Sequence, residues 1–356
     1  MEPLSNTLVS AIIPAYNAER TLAETLASVA AQSHAPVEII IVDDGSTDAT
    51  AAIAKSFCAS EARARLIRQP NSGVAAARNA AIAACTGTFV APIDADDIWH
   101  PDYLAALVAK AETTQPAPGF VYAWYRRIDA AGDIIHSGHS DNVDGSALQR
   151  MGFRNLVGNG SGLLIARAAL VEAGGYDPRL RAEGSEGTED LLLQLEIAAR
   201  YPIASVPAFL VGYRSLPDSL GYDSARMFQS KHLARRIYSE RFPDRQLIRR
   251  SWRWIRAQRA LILAYQAFKR RSLAAALRNF AAGILLDPRA TAAMVKDYLV
   301  RPSTPRAEPA PRINFFAADP RVVIAGYNRG AERPASLALE QRRLLVLARH
   351  EARKMN

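Results

Sequence analysis

Between residues 8 and 94, short apolar runs of strand length alternate with stretches of helical spacing, and nothing else in the chain restricts its fold as much. "LVSAIIPAY" (8–16), "VEIIIV" (37–42), "ARLIRQ" (64–69) and "TFVAPID" (88–94) read as strands. The second is apolar at nearly every position, as expected of a strand covered on both faces. Residues 19–33 read as a helix with Leu22, Leu26 and Val29 on one face. Residues 48–60 read as another, opened by Ser, Thr and Asp residues suited to N-caps. "NSGVAAARNAAIAAC" is a loop running into a third. This β-α-β-α-β-α-β order implies an α/β fold: a doubly wound, mostly parallel sheet with helices on both faces.

Downstream, "GFVYAWYRRIDAAGDII" reads as two strands joined by a turn at Ala130–Asp133, and "GSGLLIA" (160–166) as a further strand. A short helix and the Gly- and Pro-rich turn "AGGYDPRL" follow. "GTEDLLLQLEIAARYP" is a helix with Glu189 and Asp190 at its N-terminus, and "IASVPAFLVGYR" is a strand. From about Tyr222 only helices are expected. "SWRWIRAQRALILAYQAF" and "SLAAALRNFAAGILL" resemble a helical hairpin, a single tetratricopeptide-like unit and so not a solenoid. Beyond Val300, "RPSTPRAEPAPR" is expected to be extended or mobile, before a short amphipathic helix in "LALEQRRLLVLARHEARK". The expected divisions are 1–222, the α/β domain; 223–300, a basic helical appendage; and 301–356, the Pro-rich tail with its helix.

Charge is unevenly placed. The chain carries a formal +9, yet residues 225–271 hold fourteen Lys and Arg against two acids. That asymmetry points either to an anionic partner or to a solvated helical face. Trp252 and Trp254 interleave with the arginines, but no nucleic-acid-binding motif accompanies them, so no nucleic-acid partner is expected. An anionic membrane surface suits an Arg-rich helix with Trp and Leu on another face. The two cysteines, Cys58 and Cys85, have no ligand-spaced neighbours and indicate neither a disulfide framework nor a zinc site. There is no signal-peptide pattern at the N-terminus and no apolar run long enough to span a bilayer. The expected location is cytoplasmic, peripheral to the inner face of a membrane.

In doubly wound sheets ligands bind beyond the carboxyl ends of the strands. Here those ends carry "PAYN", "DDGS" and "DADD", three polar clusters converging on one edge. Asp94, Asp96 and Asp97 crowd into four positions, and like charges this close repel and are costly to desolvate. A carboxylate pair at i, i+2 suits a hard divalent cation, Mg²⁺ or Mn²⁺, completed by a bound diphosphate. "VGNGSGLL" lacks the G-x-G-x-x-G spacing of a dinucleotide loop, since position 163 is Leu. It reads instead as the floor of an acceptor pocket, with Gly160 and Ser161. His136 and His139 stand at i, i+3 after a strand, a weak metal signal.

"VSAIIPAYNAERTLAETLASVAAQ", "VEIIIVDDGSTDAT", "NSGVAAARNAAI" and "APIDADDIWHPDYL" together resemble the successive blocks of the family 2 glycosyltransferases, which have the GT-A fold. "GSGLLIARAALVEAGGYDPRL" and "TEDLLLQLEIAARYPIASVP" extend the likeness to about residue 214. The resemblance implies a metal-dependent, inverting transfer of a sugar from a nucleotide donor, UDP-linked by preference, to a hydroxyl of a glycan, lipid-linked or cell-envelope acceptor. Pro14, Ala15 and Tyr16 would line the base pocket, Tyr16 by stacking. Asp44 would accept the uracil N3–H, and Asp43 would meet the ribose or satisfy backbone donors. Gly73 would let backbone approach the nucleotide, and Arg78 would face base or diphosphate. Asp94 and Ala95 would lie at the donor, Asp96 with Asp94 at the metal, and Asp97 at the cap of the next turn. Asp190 would be the base that takes the acceptor proton, and Glu189 would orient the acceptor or cap the helix. Two other readings compete: a sugar nucleotidyltransferase, disfavoured by "IPAYNAER" where a glycine-rich signature is usual, and a non-catalytic binding module, disfavoured by the presence of both Asp96 and Asp190.

Overall fold

The computed structural model describes residues 6–136, 142–153, 155–184, 187–216, 224–245, 249–299 and 312–322. The chain divides into two compact units. The first comprises residues 1–147, 156–238 and 311–327; the second comprises 148–155, 239–310 and 328–356. The sequence boundary was expected at residue 222, whereas the contacts keep the helix that follows with the first unit through Tyr238.

The first unit is built on strands β1 (Val9–Ala15), β2 (Val37–Asp43), β3 (Ala64–Arg68), β4 (Phe89–Pro92), β5 (Ile98–Trp99), β6 (Phe120–Ile128), β7 (Ile134–His136), β8 (Leu163–Ala166) and β9 (Ile203–Arg214). They form one sheet in the order β3-β2-β1-β4-β8-β6-β9-β5, with β7 added to β6. β3, β2, β1 and β4 run parallel, as the alternation predicts. β8 then enters antiparallel between β4 and β6, while β6 and β9 pair parallel to each other. β1 is buried at all seven positions because it lies in the parallel half with neighbours on both sides. β3 is the edge, and its residues are only partly covered.

Helices α1 (Leu22–Ala30), α2 (Thr50–Ser60), α3 (Val74–Ala84) and α4 (Tyr103–Thr113) connect or cover the first strands. α1 buries Leu22, Leu26 and Val29 at helical spacing, together with Thr25. Thr21 and Thr25 turn their hydroxyls to the segment after β4: both donate to the Ala95 carbonyl, at 2.9 and 3.0 Å, and Thr25 also approaches the Asp97 carbonyl at 2.8 Å. α3 is alanine-rich, and Ala75, Ala77 and Ala81 let it lie close on the sheet. Short helices α5 (Leu148–Phe153), α6 (Arg167–Ala173) and α7 (Arg179–Ala182) precede α8 (Glu189–Ala198), which is buried along its whole length. α9 (Ser224–Arg241), α10 (Arg249–Lys269), α11 (Leu273–Leu286) and α12 (Pro288–Leu299) follow. In the second unit α10 packs on α5, where Trp254, 1% exposed, meets Phe153 edge-on at 6.2 Å between ring centroids.

Of the stretch expected to be extended or mobile, residues 301–311 lie outside the described residues. Residues 312–322, which follow them, are packed onto the first unit. Phe315 fills a small apolar cluster with Ile98, Ile128 and Ile134. The buried Arg126 guanidinium donates to the carbonyls of Asp319 and Val322, both at 2.7 Å, and Phe209 N–H donates to the Pro320 carbonyl. A buried arginine requires acceptors, and this segment supplies them. The terminal amphipathic helix expected within 337–354, and His139 of the histidine pair, lie outside the described residues. Replacing Phe315 by Ala should lower the unfolding free energy by about 3 kcal/mol, read from urea denaturation. An unchanged midpoint would mean that this strap adds nothing to the fold.

Candidate active site

The carboxyl ends of β1, β2 and β4 come together with the start of α8. Asp43 ends β2 and is fully buried; it accepts from Ser46 N–H and from Arg68 Nε, each at 3.0 Å. Burial alone would raise its pKa, but these bonds outweigh it and hold the group below the ordinary range. Of the two roles open to it, its position meets the second, satisfying backbone donors. Asp44 is 3% exposed and accepts from Gln69 Nε2 at 2.7 Å, Ser72 N–H at 2.9 Å and Gly73 N–H at 2.8 Å. This carboxylate pins the loop that opens α3. Gly73 sits there at φ +90, a conformation that favours glycine.

α3 delivers Arg78 into the midst of the acids. The guanidinium is 4% exposed, donates from Nη2 to Asp94 Oδ1, and lies 4.9 Å from the centre of the Tyr176 ring. Burial disfavours its charge, yet Asp94, Tyr176, Glu189 and Asp190 together push its pKa above the ordinary value. Gly160 makes room for the pair: an added Cβ there would stand 3.0 Å from Arg78 Nη2 and 3.5 Å from Asp94 Oδ2.

The three acids after β4 separate into distinct environments. Asp94 pairs with Arg78 and is partly exposed. Asp96 is half-buried, and its carboxylate has a hydrogen bond only from its own backbone among the described residues. Burial first, and then the Asp94 charge, push it up to about 6. Asp97 is fully buried: Oδ2 accepts from Ser161 Oγ, and Oδ1 accepts from Arg214 N–H at 2.8 Å. Burial and its two neighbouring aspartates raise its pKa well above normal. Asp97 is therefore not the cap of the following turn; it fastens that turn to β9 and to the residues before β8.

Several expected site residues prove to be framework. Pro14 and Ala15 are strand residues paired with Val42 and Asp43, and both are buried, which leaves Tyr16, 51% exposed, as the open surface after β1. Ala95 is buried with its carbonyl held by α1. Ser161 has no exposed surface; besides donating to Asp97 it accepts from Asp94 N–H at 3.0 Å, and its carbonyl accepts from Trp99 Nε1 at 2.7 Å. A hydroxyl so occupied positions the aspartates and is not presented to an acceptor.

At α8, Glu189 Oε1 accepts from Gly187 N–H at 2.9 Å. Asp190 is 8% exposed and pushed up to about 6, chiefly by burial, with Glu189 and Asp94 adding and Arg78 opposing. Asp94, Arg78, Glu189 and Asp190 thus form one electrostatic cluster drawn from β4, α3 and α8.

Residues not singled out in the sequence complete it. Arg214 ends β9 at 1% exposure: Nε donates to the Asp96 carbonyl at 2.7 Å, Nη1 to the carbonyls of Asp129 and Ala130 at 2.9 and 2.8 Å, and Nη2 to Glu24. Tyr176, under Arg78, is held by Asn79, which bonds its N–H at 2.8 Å and its carbonyl at 2.7 Å. Asn159 is buried with neither side-chain polar atom bonded among the described residues. Thr188 meets Ser230 at 2.7 Å, which brings α9 to the start of α8. On α9, Lys231 has its pKa lowered, first by burial and then by Arg235, against the pull of Asp190. "SKHLARR" read only as part of a basic stretch, and chain spacing could not show that one face of it adjoins Asp190.

This arrangement defines a class: a GT-A-type α/β fold whose strand-end acids gather around a buried arginine. Residues 10–174 match glycosyl transferase family 2. It is 34% identical over 133 residues to chondroitin synthase of Escherichia coli, covering 37% of this chain and 19% of that protein. It is 38% identical over 102 residues to glycosyltransferase GlyA of Streptococcus pneumoniae, covering 29% and 15%. These matches thus span less than a fifth of either relative's length. Among solved structures, S. aureus TarS 1–349 in complex with UDP-GlcNAc has the same fold, with a TM-score of 0.54 at 17% identity over 82% of this chain and 84% of that one.

Replacing Arg214 by Met would strand three carbonyls that it now satisfies. We expect a loss of about 3 kcal/mol in urea unfolding, and an unchanged midpoint would contradict the clamp.

Proposed function

We propose that this chain transfers a sugar, with inversion, from a nucleotide donor, by preference UDP-linked, to a hydroxyl of a glycan, lipid-linked or cell-envelope acceptor. The observation that carries the reading is the gathering of Asp94, Arg78, Glu189 and Asp190, with an Asp96 carboxylate whose one hydrogen bond among the described residues comes from its own backbone. Tyr16 offers its face to the base. Asp44 keeps roughly one of a carboxylate's four lone-pair sites for an N3–H, the other three being taken by the loop.

The residues fit a divalent cation. No cluster of three or more metal-ligating side chains occurs among the described residues, as suits Mg²⁺ or Mn²⁺ held by one or two carboxylates and the donor's phosphates. Asp96 and Asp94 would hold it, and when bound it would neutralise charge on the departing diphosphate. Arg78 adds fixed positive charge beside these acids. Asp190, nearly buried, removes the proton from the acceptor hydroxyl, and a carboxylate with its pKa raised toward neutrality is the stronger base. Glu189 braces the loop before α8 and keeps Asp190 in place.

A donor screen that scores nucleotide release with and without divalent cation tests the class. Asp190→Asn should lower transfer by at least about 100-fold with donor binding retained in calorimetry, and Asp96→Ala should weaken the cation-dependent part of donor binding. Near-wild-type transfer by Asp190→Asn would assign the base elsewhere, unaltered cation-dependent binding by Asp96→Ala would remove Asp96 from the metal, and donor binding by the wild type with no nucleotide release would favour a binding module.

The pH dependence follows from the same residue. A base raised to about 6 is active above that pH and lost as pH falls through it. At saturating cation, which holds Asp96 ionised, kcat should therefore fall on the acid side near pH 6. Arg78 opposes that rise, so Arg78→Met should move the acid limb to higher pH. A limb that stays in place would disconnect Arg78 from the base.

A further inference from the structure

In the second unit the end of α10 and most of α11 turn large apolar residues outward. Amphipathic helices ordinarily do the reverse. α11 meets the rest of its unit through small side chains: Gly283 is buried, and a Cβ there would lie 3.3 Å from Thr291 Oγ1 and 3.5 Å from Leu261. The big residues point away. Leu273, Leu277, Phe280 and Ile284 recur at intervals of four, three and four and are 63, 69, 38 and 43% exposed, and Leu285 is 81% exposed. Phe268, at the end of α10, is 63% exposed beside them. A contiguous apolar surface of this kind marks a contact with another phase or molecule.

Charge selects the occupant. No acidic residue stands between Asp244 and Asp287, against ten Lys and Arg. Lys269, Arg270, Arg271 and Arg278 are exposed around the stripe. At the turn, Tyr265, Phe268, Lys269, Arg271 and Leu273 line an open cleft of about 550 Å³, with Lys269 Nζ 5.1 Å from the centre of the Tyr265 ring. An apolar floor with cations at its mouth suits a phospholipid: phosphate at the ammonium and guanidinium groups, acyl chain on the aromatics. A second copy of this chain would bring the same positive charge to the same face and be repelled. Among the described residues no helix is long and apolar enough to cross a membrane, so contact would be along the surface.

We propose that the α10–α11 hairpin docks the protein on an anionic bilayer, with Lys269–Arg271 at the headgroups and the Leu273–Leu285 face in the boundary with the acyl chains. This relocates the membrane contact expected of residues 225–271, because Trp254 and Ile255 are buried in the unit and unavailable to lipid. It stands whether or not the first unit transfers sugar.

The test is co-sedimentation of the full chain with vesicles of phosphatidylcholine alone and of phosphatidylcholine mixed with phosphatidylglycerol, over a range of salt. Binding should require phosphatidylglycerol and weaken as salt rises. Leu277→Glu combined with Ile284→Glu should lower the partition coefficient by about tenfold or more, with circular dichroism and the unfolding midpoint unchanged, since both side chains are exposed. Lys269→Glu with Arg270→Glu should remove most of the salt dependence. No binding to anionic vesicles at low salt would overturn the proposal, as would binding insensitive to the leucine-stripe change. So would a concentration-dependent dimer, seen in sedimentation velocity, that Leu277→Glu abolishes, because the face would then belong to a second copy.

Discussion

Burying carboxylates close together is the constraint around which the first unit is arranged. Asp94, Asp96 and Asp97 lie within four residues, and Glu189 and Asp190 come to the same place from another segment. Left uncompensated, such a cluster would be strongly destabilising. Two buried arginines offset it in different ways. Arg214 satisfies carbonyls and one distant glutamate, and so fixes the backbone on which the aspartates sit. Arg78 supplies charge to the carboxylates themselves. The first is framework, and the second lies among the acids of the candidate site.

The change from parallel to antiparallel pairing explains how the framework reaches the site. β8 enters beside β4 in the opposite sense, so the residues before β8 lie against the residues after β4. Ser161 then bonds both Asp94 and Asp97, and Gly160 leaves space for the guanidinium of Arg78. A purely parallel continuation would have put the start of β8 at the opposite edge. The reversal makes "NGSG" part of the aspartate cluster.

Local order was legible in the sequence, and so were the acids. Apolar runs located β1, β2 and β4, helical spacing located α1 and α8, and turn residues marked the break between β6 and β7. Crowded carboxylates at a strand end singled out Asp94 and Asp96 because like charges demand an explanation, whereas Asp190 was singled out by the family resemblance of "TED". What stayed hidden depends on pairing between distant segments. Ser161 read as an open hydroxyl because nothing local reveals that it is buried between two aspartates. Arg214 read as the last residue of a strand, although its acceptors come from three segments. Pro14 and Ala15 looked like pocket lining since they precede Tyr16, but strand pairing turns them into the sheet. The basic run after Tyr222 hid two environments under one composition: Lys231 of α9 feels the charge of Asp190, while the residues after Ala260 carry the exposed apolar stripe.

Bonding, more than pKa direction, separates the acids: Asp97 is raised well above the ordinary range and is still held by Ser161 and the Arg214 N–H. Asp43 has its pKa lowered because it is bonded to its own turn and to Arg68, and a carboxylate so satisfied has little to offer a substrate. Asp96 and Asp190 are both raised toward neutrality, mainly by burial, with fewer bonds to the protein. A group kept costly to ionise gains most when a cation or an acceptor proton arrives, since that event relieves the cost. The fold maintains this difference by giving the bonded acids to the strands and turns. The two poised acids keep fewer bonds, and a different arginine opposes the rise of each: Arg214 for Asp96 and Arg78 for Asp190.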